Sequence, residues 1–376
     1  MAVVIISAKI NKFRNLTDEE YQLVRSTVFS GHNRLGKTNV LNAIAWCLTG
    51  YDIYGNSEDK MNVPFDTELN EGDTCVDVAV ELNVGVINRR VILKGGSYSQ
   101  ALTINGLDCK TLREGEAQIN EILGITDLAL KGSKDFNVRR FLLNPLYFTQ
   151  CKESAFREFI IKQLINVDTS AAFAALPEPI QKMIGTKDAA VASQENSKEI
   201  KTIKAQIEYW KVIKDYCTNI NKTLTNDLAA AEKVIKQLNV KLADLNDKAV
   251  AIDKYALEIS KIYNEAVKTQ FKGIDIVLLE KGQGEDVWKN TCAVISSLTN
   301  AKMEYCSTSE SILTGCSFIC KFATKIKSAP HLPLLLDEFE TLDSDSVKAL
   351  LNKMNTQLVA ACVGESDSIQ TKHLGE

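Results

Sequence analysis

The chain has 376 residues, of which 45% are hydrophobic and 24% charged, and its formal net charge is −4. This composition excludes a disordered chain and accommodates two ordinary domains, or one domain with a large insertion. The acidic balance excludes non-specific attraction to nucleic acid by the whole molecule, so such a partner needs a local basic surface. Ten cysteines form no CxxC pair and three histidines are too scattered to complete a zinc site, a usage that fits reduced thiols in the cytoplasm. The opening MAVVIISAKI lacks a basic n-region, and its apolar run is too short for a signal peptide. No apolar run approaches the about 20 residues that span a bilayer, so no membrane partner is expected.

In chain order, VVIISAKI is an apolar, β-branched run and predicts a buried strand. STVFS predicts a second, running into Gly31-His32-Asn33-Arg34-Leu35-Gly36-Lys37-Thr38, which fits the spacing GxxxxGK[ST]. Glycines there let successive backbone N–H groups turn inward as an anion nest. Lys37 supplies a point charge for the β- and γ-phosphates, and the Thr38 hydroxyl can take one position on Mg2+. TNVLNAIAWCL follows as a helix whose positive end faces the phosphates. Gly31, Asn33, Gly36, Lys37, Thr38 and Asn39 are therefore nucleotide-binding candidates. TCVDVAVELNV, NRRVILKG and QALTING predict further strands separated by turns, and from about Glu114 to Ile165 the pattern is mostly helical.

The middle of the chain changes character. Leu224, Leu228, Ala231, Ile235, Leu238, Leu242, Leu245, Ala249, Ile252, Ala256, Ile259 and Tyr263 recur at heptad spacing. Ile200, Ile203, Ile207 and Trp210 make a shorter seam upstream, and DYCTNINKTLTND between the two predicts a turn. The expectation is an antiparallel coiled-coil hairpin over 187–270, an arm about 45–50 Å long; two core helices of a bundle are the alternative. Three domains follow from this: an N-terminal lobe over 1–186, the arm, and a C-terminal lobe over 271–376.

The C-terminal lobe predicts strands at GIDIVLLE, LPLLLDEFE and QLVAACVG. The second matters most. Leu332 and Leu334 to Leu336 form an apolar strand that ends on Asp337 and Glu338. A phosphate loop needs a second acid for its metal, which Asp337 would hold through water, while Glu338 could polarise an attacking water. The adjacent pair argues for hydrolysis as well as binding.

Together, KFRNLT, GHNRLGKTNVLNAIAWCLTG and LPLLLDEFETLD resemble the first strand and turn, the phosphate loop and the second acidic motif of the SMC/SbcC family of ABC-type ATPases. The chain looks closest to the short members that phages encode. The resemblance covers most of the chain and implies an α/β P-loop ATPase head, formed by the N- and C-terminal lobes, with the hairpin inserted between them. It implies ATP and Mg2+ as cofactors, with Asp343 as the D-loop aspartate. It also implies an ATP-dependent homodimer that acts on DNA in repair, recombination or replication, is associated with the nucleoid and gates a partner nuclease. A nucleotide-dependent clamp with little turnover, or the ATPase of an anti-phage defence system, are the alternatives.

Three positions depart from the family pattern or leave a choice open. CSTSE (306–310) stands at the signature motif: Ser307 matches its serine, while Thr308 and Ser309 replace its glycines. A Ser-Thr-Ser run before a helix is equally a plain cap. Gln150 is the Q-loop candidate, or a surface glutamine. No histidine follows QLVAACVG at the switch position, and His373 lies too far along the chain to serve, so Ser366 or another residue substitutes, or hydrolysis is slow.

Two basic regions and one cysteine pair remain. Lys198 to Lys241 holds nine lysines against five acids, a path for a phosphate backbone or, as the favoured reading, a solvated helical face. Arg139, Arg140, Lys152, Arg157 and Lys162 form a second cluster interleaved with aromatics, a nuclease-docking surface or the edge of a core. Cys316 and Cys320, one helical turn apart, read as buried small hydrophobes rather than metal ligands.

Overall fold

Buried and exposed positions along the first hundred residues set out strands β1 (Ile5–Phe13), β2 (Leu16–Gln22) and β3 (Ser26–Ser30), helix α1 (Lys37–Thr49), then β4 (Thr74–Leu82), β5 (Gly85–Lys94), β6 (Ser97–Ile104) and β7 (Leu107–Asp108). The computed structural model describes residues 2–32, 34–64, 69–125, 136–219, 225–271, 274–282, 287–296, 299–325, 331–342, 356–363 and 370–373. The predicted helical stretch holds α2 (Leu112–Ile122), α3 (Val138–Leu143), α4 (Tyr147–Gln150) and α5 (Glu153–Phe159). Next come α6 (Ser170–Ala174), α7 (Glu178–Ile184), α8 (Ala189–Asn219), α9 (Thr225–Gln270), β8 (Ile274–Lys281) and β9 (Trp288–Ser296). The last elements are α10 (Thr308–Lys325), β10 (Leu334–Leu336), β11 (Leu358–Ala361) and β12 (Gln370–His373).

These elements form two compact units, Met1–Phe159 with Ala301–Glu376, and Ile160–Asn300. The first unit holds two sheets. One is antiparallel, in the order β2-β1-β4-β5-β6-β7; the other is parallel, in the order β10-β11-β3-β12. Helix α1 packs against strands of both, which is why every residue from Val40 to Thr49 is buried. The parallel sheet gathers segments from the two ends of the chain. Its strand β12 lies beside β3, so the backbone of His373 is in register with Ser30. The expected remoteness of His373 therefore does not hold for its backbone, because the chain returns on the free side of β3.

In the second unit, α8 and α9 run antiparallel: Lys214 pairs with Glu232 at 3.1 Å and Glu199 with Lys241 at 2.8 Å, while Asn196 donates to the Leu245 carbonyl at 3.1 Å. Their facing apolar positions, Ile203, Ile207 and Leu245 among them, belong to the predicted seams. At the other end of the pair, Ile252, Ala256 and Ile259 share a core with Ile180, Ile184, Leu279 and Trp288. That core is why segment 160–186 and the antiparallel β8–β9 hairpin group with the long helices. The boundaries expected at 186 and 271 thus move to 159 and 301. Among the described residues no helix is long and apolar enough to cross a membrane.

Candidate nucleotide-binding site

Strand β3 ends on Ser30, and the loop after it turns through Gly31 (φ 137°) and Gly36 (φ 88°) into α1. Gly36 cannot be larger without displacing its neighbours. A Cβ there would lie 2.9 Å from Leu16 Cδ2 and 3.0 Å from Asn15 Nδ2, on a backbone that L side chains disfavour. No side chain among the described residues caps α1, and its first turn carries no acid, so the positive end of a 13-residue helix faces the loop. Lys37 is only 7% exposed and folds back over the loop, its Nζ donating to the carbonyls of Gly31 at 2.8 Å and His32 at 2.6 Å. Asn33 lies outside the described residues.

The acidic pair arrives from the far end of the chain. Leu334 to Leu336 are buried as β10, and the order β10-β11-β3 sets the tip of this strand one strand away from the phosphate loop. Thr38 Oγ1 lies 3.1 and 3.0 Å from the two carboxylate oxygens of Asp337, across 299 residues of sequence. Glu338 adopts a left-handed backbone (φ 54°, ψ 39°), a conformation that costs a non-glycine residue about 1–2 kcal/mol. It is exposed. Lys37, Thr38, Asp337 and Glu338 line a cleft of about 600 Å³ together with Asn15, Asn39 and other residues. A hydroxyl beside a carboxylate, next to a helix N-terminus, is a hard-oxygen donor set that fits Mg2+ with a phosphate.

Two hydrogen-bonded groups, one in this cleft and one beside it, extend the predicted set. Tyr54, in the loop after α1, donates its hydroxyl to Asp337 Oδ2. Burial, that hydrogen bond and the neighbouring acids push its hydroxyl well above the usual 10, so it remains a donor. Arg14, also left-handed (φ 53°), donates to buried Asp52 at 2.9 Å and to Asn39 at 3.3 Å, and Asn39 in turn donates to Asn15. Burial would raise the Asp52 carboxyl, but hydrogen bonds from Asn56 and Arg14 outweigh it and hold the group below the usual carboxylate range. Neither tyrosine of GYDIYG has a spacing that points to chemistry, so the sequence does not mark Tyr54.

Other predicted residues lie elsewhere. Gln150 is not among the residues lining the cleft; it accepts from Arg140 Nη2 at 2.9 Å. Ser307 is exposed, and its Oγ accepts from the Glu310 backbone N–H at 3.3 Å as a cap of α10. Asp343 and Ser366 lie outside the described residues. The second basic cluster is not an open surface at its first two positions. Arg139 is buried against Glu116 and the Leu48 carbonyl, and Arg140 stacks on Tyr51 and Tyr147. Cys316 is buried but Cys320 only partly so, and the described residues hold no cluster of three or more His, Cys, Asp or Glu side chains placed to hold a metal ion.

Residues 7–265 match the family model described as an AAA domain. No curated protein gives a significant match. Among solved structures, the chain is similar to the recombination mediator protein RecF-ATP of the RecFOR pathway, with 13% identity, 97% of this chain and 95% of that chain covered, and a TM-score of 0.45. The same protein with ATPrS gives 13%, 99%, 96% and 0.45. The Smc head domain with an extended coiled coil, bound to the C-terminal domain of ScpA and derived from Pyrococcus furiosus, gives 14%, 96%, 90% and 0.42.

Proposed function

We propose, from the premise that this chain belongs to the AAA domain family, that it is an ATP-binding and hydrolysing head of the SMC/SbcC type. The observation that carries the reading is the approach of Thr38 to Asp337, 299 residues apart in sequence and 3.0–3.1 Å apart in space. Lys37, released from its own loop carbonyls, pairs with the terminal phosphates, and the N-terminus of α1 takes their remaining charge. Thr38 and Asp337 would hold Mg2+, which when bound supplies charge neutralisation on the phosphates. Glu338 accepts a proton from a water whose oxygen attacks the terminal phosphorus; the bond to the bridging oxygen breaks, and ADP leaves with phosphate.

In this reading α8 and α9 are a short coiled-coil arm, and Ser307 of one copy faces the phosphate loop of another, so that ATP closes a dimer and hydrolysis opens it. The action on DNA and the gating of a nuclease follow from the motif resemblance. Thr308 and Ser309, in place of two glycines, favour slow turnover, which brings the clamp reading close to the ATPase reading. The test is calorimetric ATP binding together with phosphate release for the parent, Lys37→Ala and Glu338→Gln proteins. Lys37→Ala should lose binding, whereas Glu338→Gln should bind and not turn over. Parental turnover by Glu338→Gln removes it as the base, and parental binding by Lys37→Ala removes the phosphate loop.

A further inference from the structure

Tyr54 stands in the cleft on a backbone fixed from several sides. Its own N–H donates to Asp52 Oδ1 at 3.0 Å and the N–H of Asn56 to the same oxygen at 2.9 Å, while Arg14 holds Asp52 Oδ2 at 2.9 Å. Gly55 (φ 99°) follows, and the Arg140 guanidinium occupies the space its Cβ would need, 2.6 Å from Nη2. The main chain at Tyr54 is thus clamped, but the residue is 52% exposed, so solvent has access to its side chain.

The hydroxyl at the end of that side chain donates to Asp337 Oδ2, the oxygen that also lies 3.0 Å from Thr38 Oγ1. An ionised carboxylate only accepts. A hydrated cation held by Thr38 needs Asp337 to accept from its water ligands; Oδ2 already takes the Tyr54 and Thr38 hydroxyls on its two lone pairs, so phenol and cation-bound water compete for that oxygen. We propose that Tyr54 is a metal-sensing residue of the cleft, its hydroxyl occupying Asp337 until a divalent cation arriving with nucleotide displaces it. This rests on the reading of the cleft as an Mg2+·ATP site and adds a means by which the site distinguishes metal-bound from metal-free nucleotide.

The competition has a signature that a structural role lacks. Tyr54→Phe keeps the ring and removes the competitor, so it should tighten ATP binding in Mg2+ about ten- to hundredfold, the scale of a hydrogen bond to a charged group. ATP binding in EDTA should not change. Calorimetry of the parent, Tyr54→Phe and Tyr54→Ala proteins with ATP in Mg2+ and in EDTA measures both, and the EDTA arm also reports that the loop remains folded. A Tyr54→Phe protein whose Mg2+-to-EDTA affinity ratio equals the parent's overturns the proposal, as does a lower ratio, which would make Tyr54 a support for Asp337. If the parent binds no ATP in either condition, the nucleotide reading fails and this proposal with it. If the parent binds and only the ratio is unmoved, the nucleotide reading stands alone.

Discussion

The guanidinium of Arg89, fully buried, meets the Glu116 carboxylate at 2.8 Å beneath the C-terminal end of the phosphate-loop helix. Arg139 reaches the other oxygen of the same carboxylate. Both arginines also donate to the last carbonyls of α1, Arg89 to Cys47 at 3.0 Å and Arg139 to Leu48 at 2.9 Å. Two cations thus sit at the negative end of a helix whose positive end faces the loop after β3, and the Glu116 carboxylate pairs with both.

Removing Glu116 should therefore be costly. Glu116→Gln keeps the shape but removes the carboxylate with which both buried guanidinium groups pair, a loss of about 3–5 kcal/mol. The pH dependence has a definite sign. Burial alone would raise the Glu116 carboxyl, but Arg89 and Arg139 outweigh it and hold it below its usual 4.5. The unfolded chain then binds a proton at a pH where the native carboxylate does not, so this stabilisation is complete above 4.5 and is lost as the pH falls through the lower native value. Urea unfolding across that range should show a steeper acid loss for the parent than for Glu116→Gln. Equal slopes would mean that the carboxylate contributes nothing through its charge.

Helix α10 carries a second point of high sensitivity. A Cβ at Gly315 would lie 1.7 Å from the Pro145 carbonyl oxygen, and backbone does not yield as a side-chain tip does. Gly315→Ala should destabilise by about 3 kcal/mol, at the upper end of the cost of overpacking. It would also push the helix that Ser307 caps away from its seat on α3 to α5, where Phe318 and Phe322 make edge-to-face and tilted ring contacts with Phe141, Phe148, Phe156 and Phe159. Thermal melting of Gly315→Ala within a degree of the parent would show that this approach is not close in solution.

What the sequence revealed divides by range. The phosphate loop, the acidic strand tip and the seams of the long helices are local spacings, and each needs only a window of residues to be legible. Strand β2 was hidden because its positions do not alternate: Leu16 and Tyr21 are buried, with a run of exposed residues between them at the edge of the sheet. Strand β9 was hidden because WKNTCAVIS begins polar, and its burial depends on pairing with β8. The unit boundaries shifted because the core around Ile252 and Trp288 is assembled from segments 100 residues apart, which no composition change marks. Arg139 and Arg140 left a choice between a docking surface and the edge of a core, because charge alone does not tell which way a side chain turns; both side chains turn to the core edge.

The helix pair offers a direct test of DNA as a ligand. Of its lysines, Lys211, Lys214 and Lys241 are engaged with Glu208, Glu232 and Glu199. Lys201 and Lys204 instead line a hollow of about 280 Å³ beside Asn196 and Asn246. If this face follows a phosphate backbone, affinity for duplex DNA measured with ATP-bound Glu338→Gln should fall steeply with salt, and Lys201→Ala/Lys204→Ala should lower the log–log slope by about 1.8. An unchanged slope would leave α8 as a solvated helical face with no part in binding.

The last prediction concerns whether the catalytic site is shared. Ser307 caps α10 but is not among the residues lining the cleft that holds Lys37, as the proposed trans arrangement requires. Lys37→Ala and Ser307→Arg should each be inactive alone. When the two are mixed, a dimer with one chain of each has one site carrying both defects and one carrying neither. Random pairing makes about half of the dimers mixed, so about a quarter of parental phosphate release should return if sites act independently. Strict cooperation between sites would hide this rescue, so ATP-dependent dimerisation of Glu338→Gln by light scattering is the companion measurement. Melting of Ser307→Arg should fall by no more than the about 1 kcal/mol that loss of a cap costs, so that its inactivity is not unfolding. An inactive mixture, with Glu338→Gln still monomeric in saturating ATP, would reduce Ser307 to a helix cap and place the whole reaction within one chain.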